Sequence, residues 1–177
     1  MELKLCDSGE RLESIRELYC AAFPSEERKP FSLILEKAAE RSMEILSIEQ
    51  DGEFLGLAIM ILHREIALLD YFAVTPERRG EGIGTKTLDA LRSRYPDKIL
   101  LLEIEDPDEP CDNRDERLRR RAFYERNRME PMPYRVWLYG VKMLVLTDGA
   151  VSVPFERYRA IFEEVFSKKS AKNVRLA

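Results

Sequence analysis

The chain has 177 residues, 45% of them hydrophobic and 35% charged, with a formal net charge of −4 at pH 7. That length fits one domain, at roughly 100–200 residues per domain, and allows one core that buries about 70% of the unfolded surface. No stretch approaches the roughly 20 consecutive apolar residues of a membrane span, and the acidic balance lacks the global basic footprint of a nucleic-acid binder.

The charged N-terminus, Met1 to Asp7, has no continuous apolar core, which argues against a secretory leader and predicts a cytoplasmic protein. Residues 2–6 alternate as an opening strand. Ser8 is placed to N-cap a helix whose Leu12, Ile15, Leu18, Tyr19 and Ala22 share a face and which ends near Pro24. A charged loop, Ser25 to Pro30, precedes a second helical pattern through Leu33, Ile34, Lys37, Ala38 and Arg41. Runs from Met43 to Glu49 and Glu53 to Leu62 flank Asp51-Gly52, a hairpin signal, and a third run reaches from Glu65 to Val74. Asp70 interrupts that third run; a buried carboxylate is costly alone, so it must face a cleft or meet a cation. Cys6, Cys20 and Cys111 are widely spaced with no CxxC, and His63 is the lone histidine, so no disulfide framework, zinc site or histidine triad is predicted.

From Leu68 to Leu91 the chain reads as strand, loop, glycine turn and helix. Leu68 to Val74 leads through Thr75-Pro76-Glu77-Arg78-Arg79 into Gly80-Glu81-Gly82-Ile83-Gly84-Thr85, after which Thr87, Leu88, Leu91 and Tyr95 continue the face begun by Ile83 and stop before Pro96. Glycines at a helix N-terminus expose backbone N–H groups at the positive end of the dipole, a setting that favours phosphate, and Arg78 and Arg79 add charge. The spacing is not a P-loop, since three residues rather than four separate Gly80 from Gly84 and Lys86 follows Thr85. Nor is it a dinucleotide fingerprint, because Thr85 stands three places after Gly82.

Arg79, Gly82 and Gly84 match the Gln/Arg-x-x-Gly-x-Gly/Ala acyl-coenzyme A loop of the GNAT superfamily N-acetyltransferases, and Phe72-Ala73-Val74-Thr75-Pro76 resembles that family's preceding strand and exit turn. The resemblance implies an α/β (α+β) fold, with a mixed, largely antiparallel central sheet flanked by helices. It also implies that the amides of the loop Arg79, Gly80, Gly82, Gly84 and Thr85 hold the pyrophosphate of acetyl-coenzyme A, and that the backbone of Phe72, Ala73 and Val74 lines the pantetheine arm. The corresponding helical pair often borders the acceptor, so Glu26 or Glu27 is placed to meet a cationic substrate, the alternative being a solvated loop.

Beyond Pro96, Ile99 to Ile104 is a buried-strand pattern with one carboxylate. Leu102-Glu103-Ile104 resembles the Leu-Glu-Val of GNAT enzymes that acetylate ribosomal-protein N-termini, which would make Glu103 the general base; otherwise it faces solvent. An acidic loop, Glu105 to Asp112, is kept irregular by two prolines and precedes an arginine-rich helix, Asp115 to Arg128. That loop is either a solvated surface or a lip that draws in an amine. Ala122-Phe123-Tyr124-Glu125-Arg126 resembles the family's Tyr-Glu-Lys-Leu-Gly-Phe signature, whose tyrosine protonates the departing thiolate. Tyr124 takes that role by resemblance, although Arg128-Met129 replaces Gly-Phe. Tyr134 to Gly140 and Val141 to Leu146 read as two final strands, and Pro154 opens a helix carrying Phe155, Tyr158, Ile161, Phe162, Val165 and Phe166 on one side.

The reading is therefore one acetyltransferase domain over residues 1–167 and a basic, frayed tail over 168–177. Acetyl-coenzyme A is the cosubstrate and an amine the acceptor, with no metal, nucleic acid or membrane involved. A homodimer is compatible. A catalytically silent acyl-coenzyme A module is the competing reading.

Overall fold

The computed structural model describes residues 1–25, 27–149 and 151–177. It comprises two compact units, Met1–Lys98 and Ile99–Ala177. In the first, strands β1 (Glu2–Leu5), β2 (Met43–Gln50), β3 (Glu53–His63) and β4 (Ile66–Val74) pair in sequence order, all antiparallel. Helices α1 (Gly9–Ala22), α2 (Phe31–Ala39) and α3 (Ile83–Arg94) accompany them. The β2–β3 turn is the expected one: Asp51 and Gly52 both have positive φ, 52° and 82°, as a two-residue hairpin turn requires.

Each helix buries the face its periodicity predicts. Ile15, Leu18 and Tyr19 of α1 are buried, as are Ile83, Thr87, Leu88 and Leu91 of α3. Ser8 holds the N-cap position of α1 without capping it; its hydroxyl donates to Asp7 Oδ1 at 3.1 Å. Gly56 fixes the approach of β3 to β4, since a Cβ there would stand 2.3 Å from the Ala73 carbonyl oxygen. Opposite Ile59 and Met60 the ladder skips from Tyr71 to Leu69, so Asp70 is the extra residue of a bulge.

The second unit contains β5 (Ile99–Glu105), α4 (Arg114–Arg126), β6 (Met129–Leu138), β7 (Val141–Asp148), α5 (Phe155–Val165), α6 (Lys168–Ala171) and β8 (Val174–Leu176). Its strands are antiparallel in the order β5-β7-β6-β8. Two expectations change here. Strand β6 begins at Met129 rather than Tyr134, with an irregularity between Pro131 and Arg135 where the prolines cannot donate to a ladder. The last ten residues are not frayed: α6 is capped by Ser167, whose Oγ accepts from the Ser170 amide at 3.1 Å, and β8 pairs with β6, Val174 opposite Leu138. Ala171 and Val174 anchor this segment at 0% and 1% exposure. No helix among the described residues is long and apolar enough to cross a membrane.

Both units are thus helices against antiparallel strands, the α/β class with a largely antiparallel sheet that the sequence implies. In the first unit the core lies along β2, β3 and β4, and in the second along β5 and β7, where most apolar side chains are buried.

Candidate functional site

The glycine loop grows out of β4. Phe72, Ala73 and Val74 stand opposite Ala58, Leu57 and Gly56, and the Thr75 amide donates to the Leu55 carbonyl at 2.9 Å, closing the strand. A 3-10 turn, Pro76–Arg78, follows. Gly80 and Gly82 have φ of 83° and 76°, the left-handed region where glycine carries no steric penalty. Gly82 is the N-cap of α3, and the first amide to find a helical acceptor is that of Lys86, which donates to the Gly82 carbonyl at 3.2 Å. The amides of Ile83, Gly84 and Thr85 therefore form the positive first turn. A Cβ built on Gly80 or Gly82 would meet no atom within 4 Å, so the loop is open to a ligand on the side the glycines clear.

Packing ties strand and helix together. Ile83 joins Ile48 and Leu55 in a buried cluster against which Phe72 and Val74 pack. The loop amides are thus held by a rigid base while Arg79, Gly80, Gly82 and Thr85 stay exposed. The two arginines differ. Arg78 is committed to Glu53 at 3.2 Å and Glu81 at 3.5 Å. Arg79 directs Nε to the Val74 carbonyl at 3.4 Å. An acyl-coenzyme A pyrophosphate fits this donor set: backbone amides at a helix N-terminus, open space at Gly80 and Gly82 and an exposed guanidinium beside it.

The carboxylate inside β4 has a structural partner. Asp70 accepts two hydrogen bonds from the Lys29 ammonium, at 2.7 Å to Oδ1 and 2.9 Å to Oδ2, with its side chain 4% exposed. Around it the Tyr71 hydroxyl accepts from the Lys29 amide and donates to the Glu27 carbonyl, each at 2.9 Å, while the Tyr19 hydroxyl donates to the Lys29 carbonyl at 2.9 Å. Burial, with Tyr71 and Asp70 beside it, pushes the Tyr19 hydroxyl far up, so it remains a donor. The cation alternative for Asp70 thus holds, and Lys29 is the partner. In the same loop the Glu27 backbone is engaged by Tyr71; Glu26 lies outside the described residues.

Glu103 and Tyr124 belong to the second unit. Glu103, opposite Val145 on β5, is half-buried and accepts from the Tyr158 hydroxyl at Oε1. It is not a solvent-facing end of a strand. Tyr124, in the last turn of α4, is 8% exposed, and no hydrogen bond to its hydroxyl is found among the described residues. Burial pushes that hydroxyl up to about 12, moderated by the Arg120 guanidinium one turn earlier. It is a neutral phenol at any physiological pH.

Several charges of the unit pair with one another. Arg117 pairs with Glu105, Arg120 bridges Glu105 and Glu116 at 3.6 Å and 3.1 Å, and Arg121 pairs with Glu125 at 2.7 Å. Asp106 is 1% exposed with Arg135 at 3.2 Å, and Glu109 meets Lys142 at 2.7 Å. Of the loop expected to be either solvated or a lip, Asp106 is neither; it is a buried fastener between β5, β6 and β7. Arg128, where the resembled signature has glycine, adopts φ of 65°. It takes the left-handed conformation that commonly ends a helix, so the departure in sequence leaves the backbone course intact.

Sequence reasoning missed Lys29 and Tyr158. Lys29 lay in a run of charges, and Tyr158 read as one more member of an apolar face; the obligation of a buried hydroxyl to find a partner was the signal available for the second.

The sequence matches the acetyltransferase (GNAT) family over residues 12–128. No curated protein matches it. Among solved structures, a GNAT-family protein from Bacteroides thetaiotaomicron superposes with a TM-score of 0.78 at 20% identity, covering 97% of this chain and 99% of its own. An aminoglycoside 6'-N-acetyltransferase complexed with coenzyme A gives 0.63 at 15% identity over 87% and 99%. A ribosomal-protein-alanine N-acetyltransferase from Brucella melitensis gives 0.58 at 17% over 83% and 98%. The fold agrees with this assignment, and the chain belongs to the GNAT family of acetyltransferases.

Proposed function

We propose that the protein transfers an acetyl group from acetyl-coenzyme A to a primary amine by direct attack in a ternary complex. The observation that carries the reading is the loop: a glycine-capped α3 with three consecutive N-terminal amides, next to Gly80 and Gly82, where a Cβ would meet no atom within 4 Å. Solved relatives act on an aminoglycoside and on ribosomal-protein alanine, and both acceptors are amines. Residues 1–167 form one functional domain in this reading.

In this mechanism the neutral amine attacks the thioester carbonyl, the C–N bond forms and the C–S bond breaks. Glu103, through a water, receives the ammonium proton; backbone amides around Phe72 to Val74 stabilise the developing oxyanion; the Tyr124 phenol gives its proton to the leaving thiolate. The amides of Ile83, Gly84 and Thr85 and the Arg79 guanidinium hold the pyrophosphate. This chemistry needs no metal ion.

The test has two arms. Acetyl-coenzyme A at 100 times its Kd is expected to add about 2.7 kcal/mol, or roughly 5–10 °C in Tm, whereas ATP adds nothing. A screen of polyamines, aminoglycosides, amino acids and peptide N-termini, followed by thiol release, then finds the acceptor. A shift with ATP alone rejects the reading; a shift with acetyl-coenzyme A and no thiol release from any amine leaves the silent module.

A further inference from the structure

Tyr158 is an anomaly on its helix. The face of α5 that it shares with Ile161, Phe162 and Val165 is buried and otherwise apolar, and Tyr158 itself is 0% exposed. Phenylalanine would fill the same space, whereas a buried hydroxyl costs about 1–3 kcal/mol if it lacks a partner. The partner is Glu103 Oε1.

The ring cannot move far. Phe162 packs against it edge-on at 5.4 Å between centroids, with Phe155 at 6.4 Å and Tyr134 at 6.5 Å. The start of α5 is fastened as well: the Val153 carbonyl accepts from the Tyr134 hydroxyl at 2.8 Å and the Val153 amide donates to Met132 Sδ at 3.5 Å. A stationary donor thus meets a carboxylate on a stationary strand. Left alone, a glutamate side chain samples rotamers worth up to about 2 kcal/mol in entropy, and a base must hold its geometry to within a fraction of an ångström.

We propose that Tyr158 is the positioning residue of the acyl-transfer base: its hydroxyl fixes the rotamer of Glu103 and holds the carboxylate in its charged, proton-accepting form. This rests on reading Glu103 as the base. Because the donor is neutral, it orients the carboxylate without cancelling its charge. Strand β7 presents the apolar Val145, and β6 contributes Tyr134, whose hydroxyl is pushed up to about 12 by burial and by Glu103 and Glu156. Helix α5 contributes Tyr158 and the exposed Glu156. On β5 itself Glu105 is paired with Arg117 of α4.

The test is Tyr158→Phe in the full chain, which keeps the ring and its packing. A hydrogen bond to a carboxylate favours the charged form. Its loss is expected to move the Glu103 carboxyl titration, followed by ¹³C NMR with Glu103→Gln as the assignment control, up by about one to two pH units. The acidic limb of kcat/KM for the amine found in the screen moves with it. The plateau falls roughly ten-fold, since ångström-scale misplacement costs up to about 10²-fold, and the acetyl-coenzyme A melting shift is retained. In the double variant with Glu103→Gln, removing the hydroxyl adds no further loss of rate. Unchanged carboxyl titration and an unchanged pH profile, with only Tm lowered, overturn the proposal. Absence of thiol release by the unmodified protein overturns instead the acetyltransferase reading.

Discussion

Two carboxylates lie inside otherwise apolar strands, and their partners separate their uses. Asp70, the bulge residue of β4, has both oxygens on the Lys29 ammonium. Glu103 of β5 has Oε1 on the Tyr158 phenol. An ammonium neutralises the carboxylate it holds and opposes its protonation; a phenol orients without neutralising. Asp70 is therefore a fastener for the loop that carries Lys29, whereas Glu103 is the group we propose as the base.

The largest expected effects test that division through rate. Glu103→Gln keeps shape but cannot accept the ammonium proton, so turnover should fall by roughly 10²–10⁴-fold at neutral pH and recover in part as rising pH supplies free amine. Asp70→Asn should leave the rate per folded molecule near that of the unmodified protein. A rate collapse in Asp70→Asn with Glu103→Gln fully active would exchange their roles. Tyr124→Phe should lower turnover by about 10²-fold, the low end of the same range, because a thiolate is a fair leaving group. With the hydroxyl pushed up to about 12, Tyr124 remains a proton donor through the whole neutral range, so activity should show no falling limb from this group below about pH 11. Full activity of Tyr124→Phe with a confirmed acceptor removes it from the mechanism.

How much of this division was legible beforehand follows from the range of each signal. The glycine loop, the buried faces of α1 and α3 and the Asp51-Gly52 hairpin are local patterns, carried by residues within a few positions of one another. Asp70 announced only that it needed something, because its partner stands 41 residues away in a loop crowded with charges. Tyr158 sits 55 residues from Glu103 and on an apolar stripe, where its ring was readable and its hydroxyl was not. Strand β8 has three residues, too few for a period-2 pattern, and exists because β6 offers an edge. The first residues of β6 carry Pro131 and Pro133, which cannot donate to a ladder and lie at its irregularity.

The next effects fall on stability. Asp70→Asn removes the negative charge that faces the Lys29 ammonium, whose side chain is only 18% exposed. Breaking a buried pair costs about 3 kcal/mol or more, here reduced by that residual exposure, so a Tm loss of roughly 5–10 °C is expected. Lys29→Met together with Asp70→Leu should recover most of it, since apolar replacements of a buried pair are often neutral. A Tm unchanged in Asp70→Asn would mean that the pair fastens nothing.

Gly82→Val tests the loop. Valine at φ of 76° costs about 1–2 kcal/mol in strain, a Tm loss of a few degrees. It also fills the space before the amides, so the gain of roughly 5–10 °C expected from acetyl-coenzyme A should vanish. Gly80→Ala, strained alike but ahead of the cap, separates the two causes: loss of Tm without loss of the ligand shift is the expected result. Equal ligand shifts in Gly82→Val and the unmodified protein would move the pyrophosphate elsewhere.

The smallest effect concerns the end of the Tyr124 helix. Arg128 occupies φ of 65° just past the Asn127 C-cap of α4, and its carbonyl accepts from the Gly149 amide at 3.2 Å. An L-residue in that region gives up about 1 kcal/mol or slightly more relative to glycine, offset by the greater freedom glycine has when unfolded. Arg128→Gly should therefore raise Tm by no more than about 2–4 °C while leaving the Tyr124 ring, its burial and the rate unchanged. Arg128→Val, β-branched and poorly suited to positive φ, should do the reverse and loosen the last turn of α4, lowering turnover through Tyr124. If both variants leave Tm and rate untouched, the left-handed cap has no bearing on the tyrosine. If Arg128→Gly lowers the rate, the arginine side chain itself contributes to catalysis, and a residue that departs from the family's signature is a functional one.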